Sequence, residues 1–167
     1  MKTTAMTPEL YEYVQKRCDL PHPVLADVER ETLKLPYAQM QISRDQGAFM
    51  HMITKLLGVQ RALEIGCFTG YSAICVASAL PANGKLVSLD YNDEYVTMAK
   101  RFFAKAGLEK RIDVIVGPAI NTLHLMKKEF GAGGFDMAFI DADKESLADY
   151  FEHCLYLVRT NGLILVD

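Results

Sequence analysis

The chain has 167 residues, of which 50% are hydrophobic, and carries a formal net charge of -3. That length suits one domain with a sizeable buried core, and the hydrophobic fraction excludes a disordered chain. The slight acidity, with Lys and Arg in no long block, argues against a nucleic-acid partner.

The opening MKTTAMTPEL lacks the apolar centre of a signal peptide, and no apolar run approaches the ~20 residues of a membrane helix. Cys18, Cys67, Cys75 and Cys154 show neither C-x-x-C spacing nor the density of a disulfide framework, which fits a reducing compartment. The expectation is a soluble, cytoplasmic protein with no membrane partner. It is read as a single domain over 1–167, divided into an N-terminal helical cap (1–58) and an α/β core (59–167).

In chain order, Thr7-Pro8 reads as the cap and first position of a helix through about Arg17. Ser43 with Gln46 three residues on reads as a capping box, opening a helix whose Phe49, Met50, Ile53, Leu56 and Leu57 are expected to face a core. Strands follow at 61–66, 84–90, 111–117, 135–141 and 162–167, each apolar and flanked by Gly, Asn or Asp, and each expected to be buried on both faces. Helical periods lie between them. One places Tyr95, Met98, Ala99, Phe102, Phe103 and Ala106 on a stripe ended by Gly107, and another uses Leu147, Phe151, Cys154, Leu155 and Val158. This alternation predicts right-handed crossovers and a Rossmann-like, doubly wound, mostly parallel sheet.

Acidic residues close or border four of these strands: Glu64 in ALEIGCFTG, Asp90 in KLVSLD, Asp141 and Asp143 in FIDADK, and Asp167 in GLILVD. Strand C-termini in an open parallel sheet border one ligand crevice. The first turn, Gly66-Cys-Phe-Thr-Gly70, lacks the middle glycine of the G-x-G-x-x-G dinucleotide fingerprint, and the carboxylates would repel a pyrophosphate. S-adenosylmethionine, with a sulfonium, an ammonium and no phosphate, suits such a crevice better. Asp90, 24 residues after Gly66, stands where a carboxylate accepts from ribose hydroxyls, although a cap for the following helix explains the same position.

The ensemble of TPELYEYV, LPYAQMQIS, Asp45-Gln46-Gly47, ALEIGCFTGYSA, FIDADK and GLILVD resembles the cation-dependent S-adenosylmethionine O-methyltransferases, the caffeoyl-CoA and catechol type with its bacterial relatives. The resemblance implies the class I methyltransferase fold. It also implies cofactor contacts at Glu64, Gly66, Cys67, Tyr71 and Ser72, a ribose ligand at Asp90 and an adenine contact at Ala119. Asp141 would be shared between metal and cofactor, Asp143 would be a second cofactor-side carboxylate, and Asp167 a metal ligand. Met40 would border the reacting centre. Ile42 stands where a Thr contacts the cofactor, so only a backbone contact carries over, and Ala48 replaces a common Gln. In the family an Asn, a third metal ligand, and two more strands follow the position of Asp167. The expectation is therefore a C-terminally truncated form with an incomplete metal site.

The reaction so implied transfers a methyl group to a hydroxyl of a small aromatic vicinal diol. Asp141 and Asp167 would hold a divalent cation, Mg²⁺ first, then Mn²⁺ or Ca²⁺, because oxygen-only ligands suit hard cations. Lys144 is the candidate general base, although a solvated lysine at a helix start accounts for it too. His22, His51, His124 and His153 show no ligand spacing and are read as surface or packing residues. A homodimer built on the N-terminal helices is expected. The alternatives are a catalytically silent fragment that binds S-adenosylmethionine and, less favoured, an NAD-dependent oxidoreductase on the same sheet.

Overall fold

A computed structural model describes residues 5–167. Three N-terminal helical segments come first: α1 (Pro8–Arg17), α2 (Leu25–Thr32) and, after a 3-10 turn at Ala38–Met40, α3 (Arg44–Leu56). Strands and helices then alternate as β1 (Arg61–Ile65), α4 (Tyr71–Ala77), β2 (Lys85–Asp90), α5 (Asp93–Lys105), β3 (Ile112–Val116), α6 (Ala119–Phe130), β4 (Phe135–Ile140), α7 (Leu147–Leu157) and β5 (Val158–Val166). All strand pairs are parallel, in the order β3-β2-β1-β4-β5. The strand order reverses between β1 and β4, and that switch point is where a crevice opens in such sheets.

Strand side chains alternate between the two faces, which sorts the core into two layers. Ala62, Met137 and Phe139 pack with Val28, Met50, Ile74 and Phe103 under α2 to α5. Leu63, Ile65, Ala138 and Ile140 pack with Leu123, Met126, Cys154 and Leu157 under α6 and α7. Fully burying a side chain such as Leu63 stabilises the fold by about 1.5–3 kcal/mol relative to exposure.

Several expectations need correction. β3 and β5 are edge strands with partly exposed residues, so burial on both faces holds only for the inner β1, β2 and β4. The buried face of α7 is Tyr150, His153, Cys154 and Leu157, while Phe151 and Leu155 are exposed. The helix stops at Leu157 because the chain there already joins β4, with Val158 opposite Phe135. β5 then carries an irregularity before Leu163 pairs with Met137, and Asn161 adopts a left-handed φ of 62° within it. On α3 the buried residues are Gly47, Met50 and Thr54, whereas Phe49 and Leu56 face outward. Ser43 precedes α3 but makes no side-chain capping bond, so the expected box with Gln46 does not form. The Thr7-Pro8 start of α1 does form, with the Leu10 N–H donating to Thr7 Oγ1 at 3.2 Å.

The exit of β1 is the tightest point of the sheet. Gly66 has φ of 100°, and a Cβ there would lie 1.8 Å from the Asp141 carbonyl oxygen. A Gly66→Ala chain is therefore expected to lose more than about 2 kcal/mol of stability, because backbone on both sides leaves nothing free to move aside. Thermal or urea denaturation of the two proteins checks this.

Candidate functional site

The turn leaving β1, the ends of β2 and β4, the start of α6 and the 39–42 segment enclose a cavity of about 730 Å³. That is the size of a small-molecule or cofactor site. The turn is shaped by Gly66 and Gly70, with φ of 88° at Gly70, and by Phe68 at 48°, a region side chains seldom enter.

Asp90 holds that turn. Its Oδ2 accepts the Cys67 and Phe68 N–H groups, both at 2.8 Å, and its Oδ1 accepts the Asn92 N–H at 2.9 Å. Three of a carboxylate's roughly four acceptor positions are thus used within the chain. Asn92 in turn caps α5 by accepting the Glu94 and Tyr95 N–H groups. The turn amides that would cradle a phosphate are already bonded to a carboxylate.

Glu64 lies behind the cavity wall. It is 1% exposed, and its oxygens accept Ser72 Oγ at 2.6 Å and Ser88 Oγ at 2.5 Å. Burial outweighs those two hydrogen bonds and pushes its pKa up to about 7, with Asp141 and Asp90 adding repulsion. Cys67 is likewise buried, and its thiol is pushed well above the ordinary range.

Asp141 and Asp167 each lie one residue beyond the paired Ile140 and Val166, which brings both carboxylates to the same end of the sheet. Burial raises the Asp141 pKa, and repulsion from Asp167 raises it further. Lys144 Nζ donates to the Asp167 carbonyl. Asp143 is occupied locally. Its oxygens accept the Ser146 N–H at 2.8 Å and the Tyr150 hydroxyl at 2.6 Å, and the Tyr150 bond holds its pKa below the usual carboxylate value.

Two mutually repelling carboxylates at the mouth of a cavity fit a hard divalent cation, which takes one or two carboxylates and fills its remaining positions with water and substrate oxygens. No group of three or more His, Cys, Asp or Glu side chains able to hold a metal occurs among the described residues.

Of the residues singled out in the sequence, Met40, Ile42, Gly66, Cys67, Tyr71, Ser72, Asp90, Ala119, Asp141, Asp143, Lys144 and Asp167 all line this one cavity, and Glu64 does not. Sequence reasoning missed the aromatic part of the wall. Phe68 and Tyr95 meet edge to face at 4.7 Å, and Tyr91 stands 82% exposed at the rim. Tyr91 directly follows the carboxylate that ends β2, and that position was the available signal. Among the histidines, His124 and His153 come together with ring centroids 4.5 Å apart, away from the cavity.

The family model described as O-methyltransferase matches residues 15–167. The chain belongs to the O-methyltransferase family. Caffeoyl-CoA O-methyltransferase 1 of Zea mays is 36% identical over 99% of this chain and 66% of its own length. Catechol O-methyltransferase domain-containing protein 1 of Mus musculus is 34% identical over 94% of this chain and 60% of its own. The chain thus spans about two thirds of the length of such curated family members. Among solved structures, the O-methyltransferase TomG from Streptomyces achromogenes, in complex with SAM, superposes with a TM-score of 0.86 at 30% identity, covering 97% of this chain and 74% of that one. An O-methyltransferase from Bacillus cereus in complex with SAH gives 0.85 at 31% identity, covering 93% and 70%. The fold of the family is the Rossmann-like sheet found here.

Glu64 makes folding stability depend on pH. Its folded pKa of about 7 lies above the ordinary value of 4.5, so between those values the native chain keeps a proton that the unfolded chain releases. The Glu64 contribution is therefore greatest below about pH 4.5 and falls by up to about 1.4 kcal/mol per pH unit as pH rises towards 7. Denaturant melts of the parent and Glu64→Gln across that range should show this component of the slope disappear in the variant.

Proposed function

We propose that this chain binds S-adenosylmethionine and transfers its methyl group to a hydroxyl of a small aromatic vicinal diol, with a divalent cation assisting. The observation that carries the reading is the Asp90-capped turn. A family fold with an acid-lined cavity, whose turn amides are already taken by a carboxylate, favours a cationic cofactor over a pyrophosphate one. The same bonds disfavour the nicotinamide alternative.

Bound S-adenosylmethionine would supply an electrophilic methyl group, and a divalent cation held by Asp141 and Asp167 would supply a Lewis acid for the diol oxygens. The chain's own residues do the rest. Asp90 keeps the turn in shape and retains one acceptor direction for a ribose hydroxyl. Cys67, Ser72 and the backbone at Ile42 offer contacts along the cavity wall, and Ala119 lines it at the start of α6. A phenol with a pKa of about 10 is mostly protonated near neutrality, so a base is needed. Lys144, which lines the cavity with Asp141 and Asp167, would take the hydroxyl proton when the methyl group is transferred. Met40, 52% exposed, lines the cavity from the 39–42 segment and would border the reacting centre.

The partner expected beyond the substrate is a second copy. Phe49, Met52 and Leu56 form an exposed apolar stripe at i, i+3 and i+7 on α3, and this face supports a homodimer built on the N-terminal helices. In sedimentation equilibrium the parent chain should dimerise and Phe49→Glu/Leu56→Glu should not.

Calorimetric titration with S-adenosylmethionine should give one saturable site, weakened about tenfold or more in Asp90→Ala, since that change removes hydrogen bonds to a charged group. Absence of binding by the folded parent would overturn the cofactor assignment. With catechol and Mg²⁺, labelled methyl transfer should fall about 10²- to 10⁴-fold in Lys144→Ala while cofactor affinity stays near that of the parent. Chelation should abolish transfer, and metal-independent turnover would remove the cation from the reading.

A further inference from the structure

One carboxylate joins three elements around the cavity without lining it. Glu29, on α2, accepts Arg44 Nε at Oε1 (2.9 Å) and Arg44 Nη2 at Oε2 (2.5 Å), the two-pronged arrangement that makes such pairs directional. The same Oε1 accepts the Tyr71 hydroxyl at 2.9 Å. Arg44 is the first residue of α3, and Tyr71 is the first residue of α4, directly after Gly70.

One turn further along α2, on the same face, Thr32 Oγ1 donates to Thr69 Oγ1 at 2.8 Å, with Thr32 1% and Thr69 0% exposed. Helix α2 is thus bonded twice to the glycine turn and its helix, at Thr69 and Tyr71. The chain leaving α2 runs through 33–43, carries Gln39, Met40, Gln41 and Ile42 along the opposite wall of the cavity, and is pinned again at Arg44. Both ends of that segment therefore meet at Glu29.

We propose that Glu29 is a positioning residue for cofactor binding: through Arg44 and Tyr71 it holds the 39–42 wall at a set distance from the Gly66–Gly70 turn. The proposal rests on the S-adenosylmethionine reading for its ligand. Its mechanical part stands on the bonds alone. Glu29 does not border the cavity, so its substitution removes no ligand contact. A salt bridge exposed on both sides would contribute little. Here the Glu29 side chain is 16% exposed and the carboxylate takes three hydrogen bonds, so removing its charge leaves a half-buried guanidinium without its partner.

The test is titration of S-adenosylhomocysteine into the parent, Glu29→Gln, Glu29→Arg, Arg44→Glu, the Glu29→Arg/Arg44→Glu pair and Tyr71→Phe, with amide hydrogen exchange over 33–43 in each. The expected result is affinity about tenfold lower in each Glu29 or Arg44 single variant, a smaller loss in Tyr71→Phe, and recovery in the charge-swapped pair. Exchange in 33–43 should quicken in the weakened variants and slow again in the pair. Recovery by swapping is the readout that general loss of packing would not produce. Parent-like affinity and parent-like exchange in Glu29→Gln would overturn the proposal, as would a swapped pair no better than its singles. If a Glu29 variant fails to fold, Arg44→Glu and Tyr71→Phe carry the same comparison. If the folded parent does not bind S-adenosylhomocysteine, the cofactor reading fails on its own, and unchanged exchange in the variants would then sink the positioning role as well.

Discussion

The close passage of Gly66 against Asp141 governs this structure. β1 and β4 are neighbours at the point where the strand order reverses, and their continuations diverge from a backbone contact with no room for a Cβ. The Asp141 N–H donates to the Ile65 carbonyl and the Gly66 N–H to the Leu89 carbonyl, so the ladder bonds continue until the chain turns away. Everything that lines the cavity is placed relative to that exit. The turn to Gly70 rises from one side of it, and the Asp141 to Lys144 segment from the other.

Charge is then distributed around that opening at different depths. Glu64 is sealed below by two serine hydroxyls, Asp90 is spent largely on backbone amides, and Asp143 is engaged by Ser146 and Tyr150. Asp141 and Asp167 are left at the same end of the sheet, and burial first, then repulsion from Asp167, raises the Asp141 pKa. A crevice described simply as acidic therefore contains carboxylates with separate duties. Glu64, Asp90 and Asp143 are held by hydrogen bonds within the chain, and Asp141 and Asp167 line the cavity at the ends of β4 and β5.

Polar links between the N-terminal helices and the cavity wall serve the same geometry. The Glu29, Arg44 and Tyr71 cluster and the Thr32 to Thr69 bond join the N-terminal helices to the glycine turn. Apolar packing alone, which is non-directional, would seat α2 against the sheet without specifying how far the 39–42 wall stands from the turn. Hydrogen bonds with defined donors and acceptors supply that distance.

Much of this was legible in the sequence. Runs such as ALEIG and FDMAFI, with their glycine and asparagine punctuation, determined the strands, their order along the chain and the acidic residues at their ends, because period and turn chemistry are local properties. The family motifs pointed to residues that the fold brings together around one cavity, Glu64 excepted. Local pattern did not determine which strands lie at the edges, which side of α3 and α7 is buried, or that Ser43 leaves its cap unmade. Those outcomes depend on neighbours far along the chain, as with β4 drawing Val158 out of α7. The duties of Glu29 and Asp90 were likewise decided only by tertiary structure. A carboxylate's role is set by which donors reach it, and here those donors come from segments 15 and 23 residues away in the chain.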